Sequence, residues 1–136
     1  MTLIDSRTGT GSALGTTGQH AATRTSREWT AACSVDSLVP GRGVAVLLRG
    51  GTQAALFLLP GGHVFAVGNI DPFGRAAVMS RGLVGDRAGE PTVASPLLKQ
   101  VFSLVDGRCL DDESATIGSF ETRIVDGVIF VRGEST

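Results

Sequence analysis

Apolar residues occur along this chain in short blocks separated by turn residues, and nowhere at helical spacing for more than two turns. Runs at 44–48, 54–59 and 64–67 are divided by Gly50-Gly51 and by Pro60-Gly61-Gly62. Strand-length apolar runs separated by glycine pairs are hairpin signals, and they predict a meander. The pattern resumes at 101–105, turns at Asp106-Gly107 into 108–110, and returns at 122–125 and 128–131 around Asp126-Gly127. Both Asp-Gly pairs suit turns that need positive φ. Upstream, Trp29 to Cys33 reads as a short strand, followed by a turn or single helical turn opening on Ser34 and stopping at Pro40. The expected fold class is all-β, with several small antiparallel sheets in a sandwich or barrel.

Residues 1–28 break this pattern. They are rich in Ser, Thr, Gly and Ala with no apolar period, so they bury too little surface to offset the entropy of ordering. A disordered tail is expected there, with one β domain over 29–133. At 136 residues and 42% hydrophobic content the chain has material for one core and too little for a second domain.

The formal charge of −1 gives no field to attract a phosphate backbone, which argues against nucleic acid as a partner. No apolar run approaches the roughly 20 residues that span a bilayer, and the N-terminus lacks the order of a secretory signal, so a cytoplasmic protein away from membranes is expected. Cys33 and Cys109, far apart in sequence, read as reduced thiols rather than a disulfide framework.

The interval from Gly68 to Gln100 reads as a long loop, and long loops in compact domains are usually functional. Asn69 and Asp71 are ordinary turn residues whose side chains bond nearby N–H groups. Ser95 has no activating neighbour, so no catalytic serine is expected. The glycines at 85–89 lack the Gly-Lys-Ser/Thr ending of a phosphate loop. Asp111-Asp112-Glu113 reads as a solvated acidic run, and Trp29 as a core or lid residue.

The order of features resembles the Rieske fold: an opening Trp-x-x-x-Cys strand (Trp29 to Cys33), Leu38-x-Pro40-Gly41, hairpin strands ending at Val67, then two loops. In that family the first loop carries Cys-x-His and the second Cys-Pro-x-His-Gly-x-x-Phe, and together they hold a [2Fe–2S] cluster. The corresponding positions here are Asn69 and Asp71, then Ser95 and Leu98, while Pro96 and Phe102 keep the frame. The chain's two Cys and two His match the cluster's inventory, but Cys33, Cys109, His20 and His63 have no partner at ligand spacing. No cluster is therefore expected. Oxygen ligands from Asn69, Asp71 and Ser95 suit Mg²⁺ or Ca²⁺, yet one carboxylate is too little charge for a tight site.

Within the Rieske-like superfamily, Gly68-Asn-Ile-Asp-Pro-Phe73, Val78-Met-Ser-Arg-Gly82, Ser95-Pro-Leu97 and Lys99-Gln-x-Phe102 are similar to the small subunit of assimilatory NAD(P)H-dependent nitrite reductase. That resemblance covers about residues 29 to 131. It implies a non-catalytic small subunit beside a large subunit that carries FAD, a [4Fe–4S] cluster and sirohaem and reduces nitrite to ammonium. It also implies partner contacts in the former ligand loops, for which Phe73, Arg75, Met79, Arg81, Lys99 and Gln100 are the candidates, being side chains that interfaces enrich or that stand where the loops would meet a partner. The alternatives are a Rieske-type ferredoxin electron carrier and a cluster-free interaction domain for another oxidoreductase.

Overall fold

A computed structural model describes residues 3–5 and 28–133. Most of the expected tail lies outside those residues, except that Leu3–Asp5 forms a strand, β1. The domain continues with β2 (Trp29–Ser34), β3 (Gly43–Leu47), β4 (Gln53–Leu58) and β5 (Val64–Gly68). Two short strands follow, β6 (Ile70–Asp71) and β7 (Ala76–Ala77), then a 3-10 turn at Met79–Arg81. The chain closes with β8 (Leu83–Arg87), β9 (Glu90–Ala94), β10 (Val101–Ser103), β11 (Ser119–Phe120), β12 (Thr122–Val125) and β13 (Val128–Arg132).

The central sheet runs β1-β3-β4-β5-β11, with β1 parallel to β3 and the other pairings antiparallel. One flanking sheet is β12-β13-β2 and the other β10-β9-β8, and β6 pairs with β7. All-β with several small antiparallel sheets is therefore the observed class. Its hairpins turn where the glycines predict: Gly50, Gly51, Gly61 and Gly62 all have positive φ, and Asp126-Gly127 takes φ of 52° and 79° between β12 and β13. Positive φ at both central residues gives the twist a two-residue hairpin needs. Ser34 opens a 3-10 turn at Val35–Ser37, its hydroxyl accepting from the Asp36 amide at 3.1 Å.

The largest difference from the sequence reading lies at 68–100. That interval is not one loop, because β8 and β9 form a hairpin inside it. Gly85, Asp86 and Pro91 break the apolar pattern of these strands, and only Val84 and Val93, paired in register, point towards the core. β11 was likewise not expected; its two residues pair with Val67 and Ala66.

β4 explains the architecture. Its residues alternate between two separate cores, Ala54, Leu56 and Leu58 on one face and Ala55 and Phe57 on the other. A strand covered on both faces has no polar side, which is why its sequence is an unbroken apolar run. The first core adds Ala32, Val46, Leu48, Ile129 and Val131, and lies against the β12-β13-β2 sheet. The second adds Val67, Met79, Val93, Phe102, Leu104 and Cys109, and lies against the β10-β9-β8 sheet. Trp29 stays partly exposed, with the Arg123 guanidinium 4.3 Å above its ring. Among the described residues no helix is long and apolar enough to cross a membrane.

Candidate functional site

The two loops carrying the former ligand positions sit at one end of the second core, and they share one local construction. The first starts at Asp71, whose carbonyl accepts from the Arg75 amide and whose Oδ1 accepts from the Phe73 amide at 2.8 Å. The second starts at Ser95, whose carbonyl accepts from the Lys99 amide at 3.1 Å and whose Oγ accepts from the Leu97 amide at 3.2 Å. Each loop thus opens on a short polar side chain that bonds two residues on. Each closes four residues on with an exposed cation in left-handed backbone, Arg75 at φ 57° and Lys99 at φ 64°. For residues with a β-carbon that conformation costs about 1–2 kcal/mol.

The loops are joined directly to each other. The Ser95 hydroxyl donates to Asp71 Oδ2 in a buried contact. A β-carbon at Gly74 would lie 2.6 Å from Leu97 Cδ1, so the Leu97 side chain rests on the first loop's backbone. The Asp71 carboxylate, 0% exposed, is further satisfied by the Gly74 amide at 3.3 Å. Burying a carboxylate costs several kcal/mol unless hydrogen bonds replace its water, and these donors supply that replacement.

Asn69 does a different task. Its Nδ2 donates to Gln53 Oε1 at 2.9 Å and its Oδ1 accepts from the Ser80 amide at 2.8 Å. The side chain ties the start of β4 to the Met79–Arg81 turn. That turn is held from the other side by close packing, since a β-carbon at Gly43 in β3 would meet the Ser80 carbonyl at 2.5 Å. Beyond the second loop, the Val101 amide donates to Asp111 Oδ2 at 3.0 Å and Arg87 reaches Asp111 Oδ1 at 3.2 Å. The amide bond, with Arg87 after it, holds the Asp111 carboxyl below its ordinary range. One residue of the acidic run thus anchors the loop instead of only solvating it.

A [2Fe–2S] cluster does not fit this donor set. Leu98 has no lone pair and is 57% exposed, Asp71 and Ser95 are bonded to each other, and both ends of the Asn69 amide are engaged. Cys33 lies in β2, its thiol pushed up by burial, and Cys109 lies in the second core. His63 is exposed at the β4–β5 turn, and His20 lies outside the described residues. Among the described residues no three His, Cys, Asp or Glu side chains gather as a metal site.

The candidate contact residues divide. Arg75, Arg81 and Lys99 are exposed, Gln100 is half-buried, and Phe73 is half-buried with its ring 6.3 Å from that of Phe102. Met79 is 0% exposed in the second core and presents no surface to a partner. Sequence reasoning missed Ile70, Leu83 and Leu97, which are left exposed at this end together with Leu98. Paired leucines next to Pro96 in a turn, where polar residues are usual, are the signal that points to them.

The sequence model of the Rieske-like [2Fe-2S] domain matches residues 28–132. The nitrite reductase (NADH) small subunit of Salmonella typhimurium is 46% identical over 107 residues, covering 78% of this chain and 98% of that protein. A Klebsiella oxytoca protein named nitrite reductase [NAD(P)H] large subunit is 40% identical over 106 residues, which span 78% of this chain and 11% of that one. A crystal structure described as an NADH-dependent nitrite reductase small subunit from Mycobacterium tuberculosis is 54% identical with a TM-score of 0.77, covering 79% of this chain and 96% of that one.

Proposed function

Because the chain belongs to the Rieske-like [2Fe-2S] domain family and, within it, to the nitrite reductase small subunits, we propose that it is the non-catalytic small subunit of a NAD(P)H-dependent nitrite reductase. The observation that carries the non-catalytic part is the Ser95–Asp71 bond, which links the two loops where the family's frame would hold a cluster. The chain offers a structural element, and electron transfer from NAD(P)H to nitrite belongs to a large subunit. That subunit carries FAD, a [4Fe–4S] cluster and sirohaem, and it releases ammonium. The Klebsiella large subunit, which contains a region like this one, supports a function exercised beside the large chain. The complex works in the cytoplasm, where its reduced nicotinamide donor is held.

Affinity purification of the tagged small chain from cells grown on nitrite tests the assignment. It is expected to retain a coloured sirohaem flavoprotein with nitrite-dependent NAD(P)H oxidation, and deletion of the small chain is expected to impair growth on nitrite and not on ammonium. Normal growth on nitrite, with no associated flavoprotein, would show the assignment to be wrong.

A further inference from the structure

The loop end of the molecule combines three features that its own fold does not require. The first is the backbone at Arg75 and Lys99. The other non-glycine residues with positive φ among those described, Ala88 and Asp126, sit beside Gly89 and Gly127 in tight hairpin turns. Arg75 and Lys99 instead close matching five-residue turns in the two loops, at positions that glycine fills without strain. Lys99 also stands where the Rieske pattern has its glycine. Backbone strain of this kind points to a use for the side chain.

The second feature is charge. Over 69–82 and 95–100 the cations are Arg75, Arg81 and Lys99, and the only carboxylate, Asp71, is buried and hydrogen-bonded within the protein. None of the three cations has an ion pair among the described residues, whereas Arg87, Arg108 and Arg132 are each matched to carboxylates. The third is apolar exposure. Leu97 lies on Gly74, Leu98 follows it, Ile70 precedes Asp71, and Leu83, 78% exposed, pairs with Ala94 immediately before Ser95. These exposed side chains lie in or beside the two loops of a chain whose net charge is −1.

We propose that the paired loops are a docking face for the large subunit, with Leu97, Leu98 and Ile70 entering an apolar depression on that chain and Arg75 and Lys99 gripping carboxylates on its rim. This rests on the small-subunit reading above and adds the surface and its chemistry. An apolar centre with a charged rim is the usual anatomy of a specific interface, and unmatched cations on one partner select acidic residues on the other. The Asp71–Ser95 bond sets the spacing of the two cationic tips, so the loops dock as one rigid element.

The test is titration of purified small chain into the purified large chain at low and high salt. The Arg75→Glu/Lys99→Glu double variant is expected to weaken binding by about 100-fold or more at low salt, with a smaller difference at high salt. Leu98→Asn, which removes the apolar contact without adding charge, is expected to weaken it by about 10-fold or more at both. Lys99→Gly suits the left-handed backbone, so it keeps the fold while removing the charge, and should still weaken binding by about threefold or more. Arg123→Glu, on the sheet that closes the other core, should change affinity by less than about threefold. Loop variants that bind within about threefold of the natural chain would overturn the proposal while leaving the subunit assignment intact. Failure of the natural chain to bind at all would remove the assignment itself, and the docking face with it. Adsorption to anionic vesicles abolished by the double variant, with unchanged binding to the large chain, would assign these cations to lipid and overturn the proposal.

Discussion

The two sides of β4 contrast in what their side chains are for. Towards Leu56 the first core is closed by β2 and β13, and the core is almost wholly aliphatic. Towards Phe57 the second core contains Met79, Phe102 and Cys109, and its outer end carries the two loops with their buried Asn69, Asp71 and Ser95. The first side is built largely from apolar volume, with the buried Thr30 hydroxyl accepting from the Arg49 amide at 3.1 Å. The second must also satisfy buried polar groups, and it does so through bonds between segments far apart in sequence, Asp71 to Ser95 and Asn69 to Gln53. One half holds the fold together, and the other holds a surface in shape.

The contrast predicts different responses to similar damage. Phe57→Ala should be the most costly change, about 3–5 kcal/mol by urea unfolding, because it empties the centre of the second core. Leu56→Ala, one residue away on the opposite face, should cost about 2–4 kcal/mol. Hydrogen exchange should show the loop amides losing protection with the first variant and keeping it with the second, and equal loss in both would collapse the distinction between the two sides. Next in size, Asp71→Ala should cost about 1–3 kcal/mol, since it leaves the Ser95 hydroxyl and the Phe73 amide without their acceptor. Loop resonances in an NMR spectrum should broaden while those of β2 and β13 stay in place.

Acid should separate the halves more gently. Glu90, Asp106, Asp111 and Asp112 all lie on the side of the second core, and each carboxyl is held below its ordinary range. For Glu90 the Ser103 hydroxyl is the main cause and Arg108 the next; for Asp106 it is the Arg108 amide; for Asp112 it is Ser114. A carboxylate depressed in the folded state stabilises fully above its unfolded value and loses that contribution as pH falls through the folded one. Amide protection around 90–114, taken relative to the intrinsic exchange rate at each pH, should therefore fall first as pH drops below about 4, because these depressed carboxylates must take up protons there. The first core should follow later, and simultaneous loss would deny the separation. The groups are exposed, so the effect is small. The smallest change is Lys99→Gly, expected to raise stability by about 0.5–1 kcal/mol at most by relieving the left-handed backbone. A fall in melting temperature would show that the Lys99 side chain supports the fold.

Where apolar pattern decides structure, the sequence was readable. β4 and β13 are unbroken apolar runs, and the Asp126-Gly127 turn between β12 and β13 could be placed from two residues. The β8–β9 hairpin was not readable, because Gly85 and Pro91 contradict strand propensity and register is fixed by the neighbours of Val84 and Val93. At the candidate site the frame positions could be found from Pro96 and Phe102. The bonds that replace ligands there could not, since Asp71 and Ser95 meet only once β6 and β9 are folded. Met79 shows the limit of composition: methionine is enriched at interfaces and also fills cores, and burial in the second core settles which applies.

The pairing of β2 with β13 also bears on how the chain is made. These strands come from opposite ends of the domain, with Trp29 beside Arg132. During synthesis β4 leaves the ribosome with one aliphatic face that stays bare until the last strand emerges. A six-residue segment such as Gln53–Leu58, apolar in all but its first position and uncharged, is aggregation-prone while exposed. β13 is the strand that takes this hazard away, so truncation into Val128–Arg132 would be felt first as insolubility.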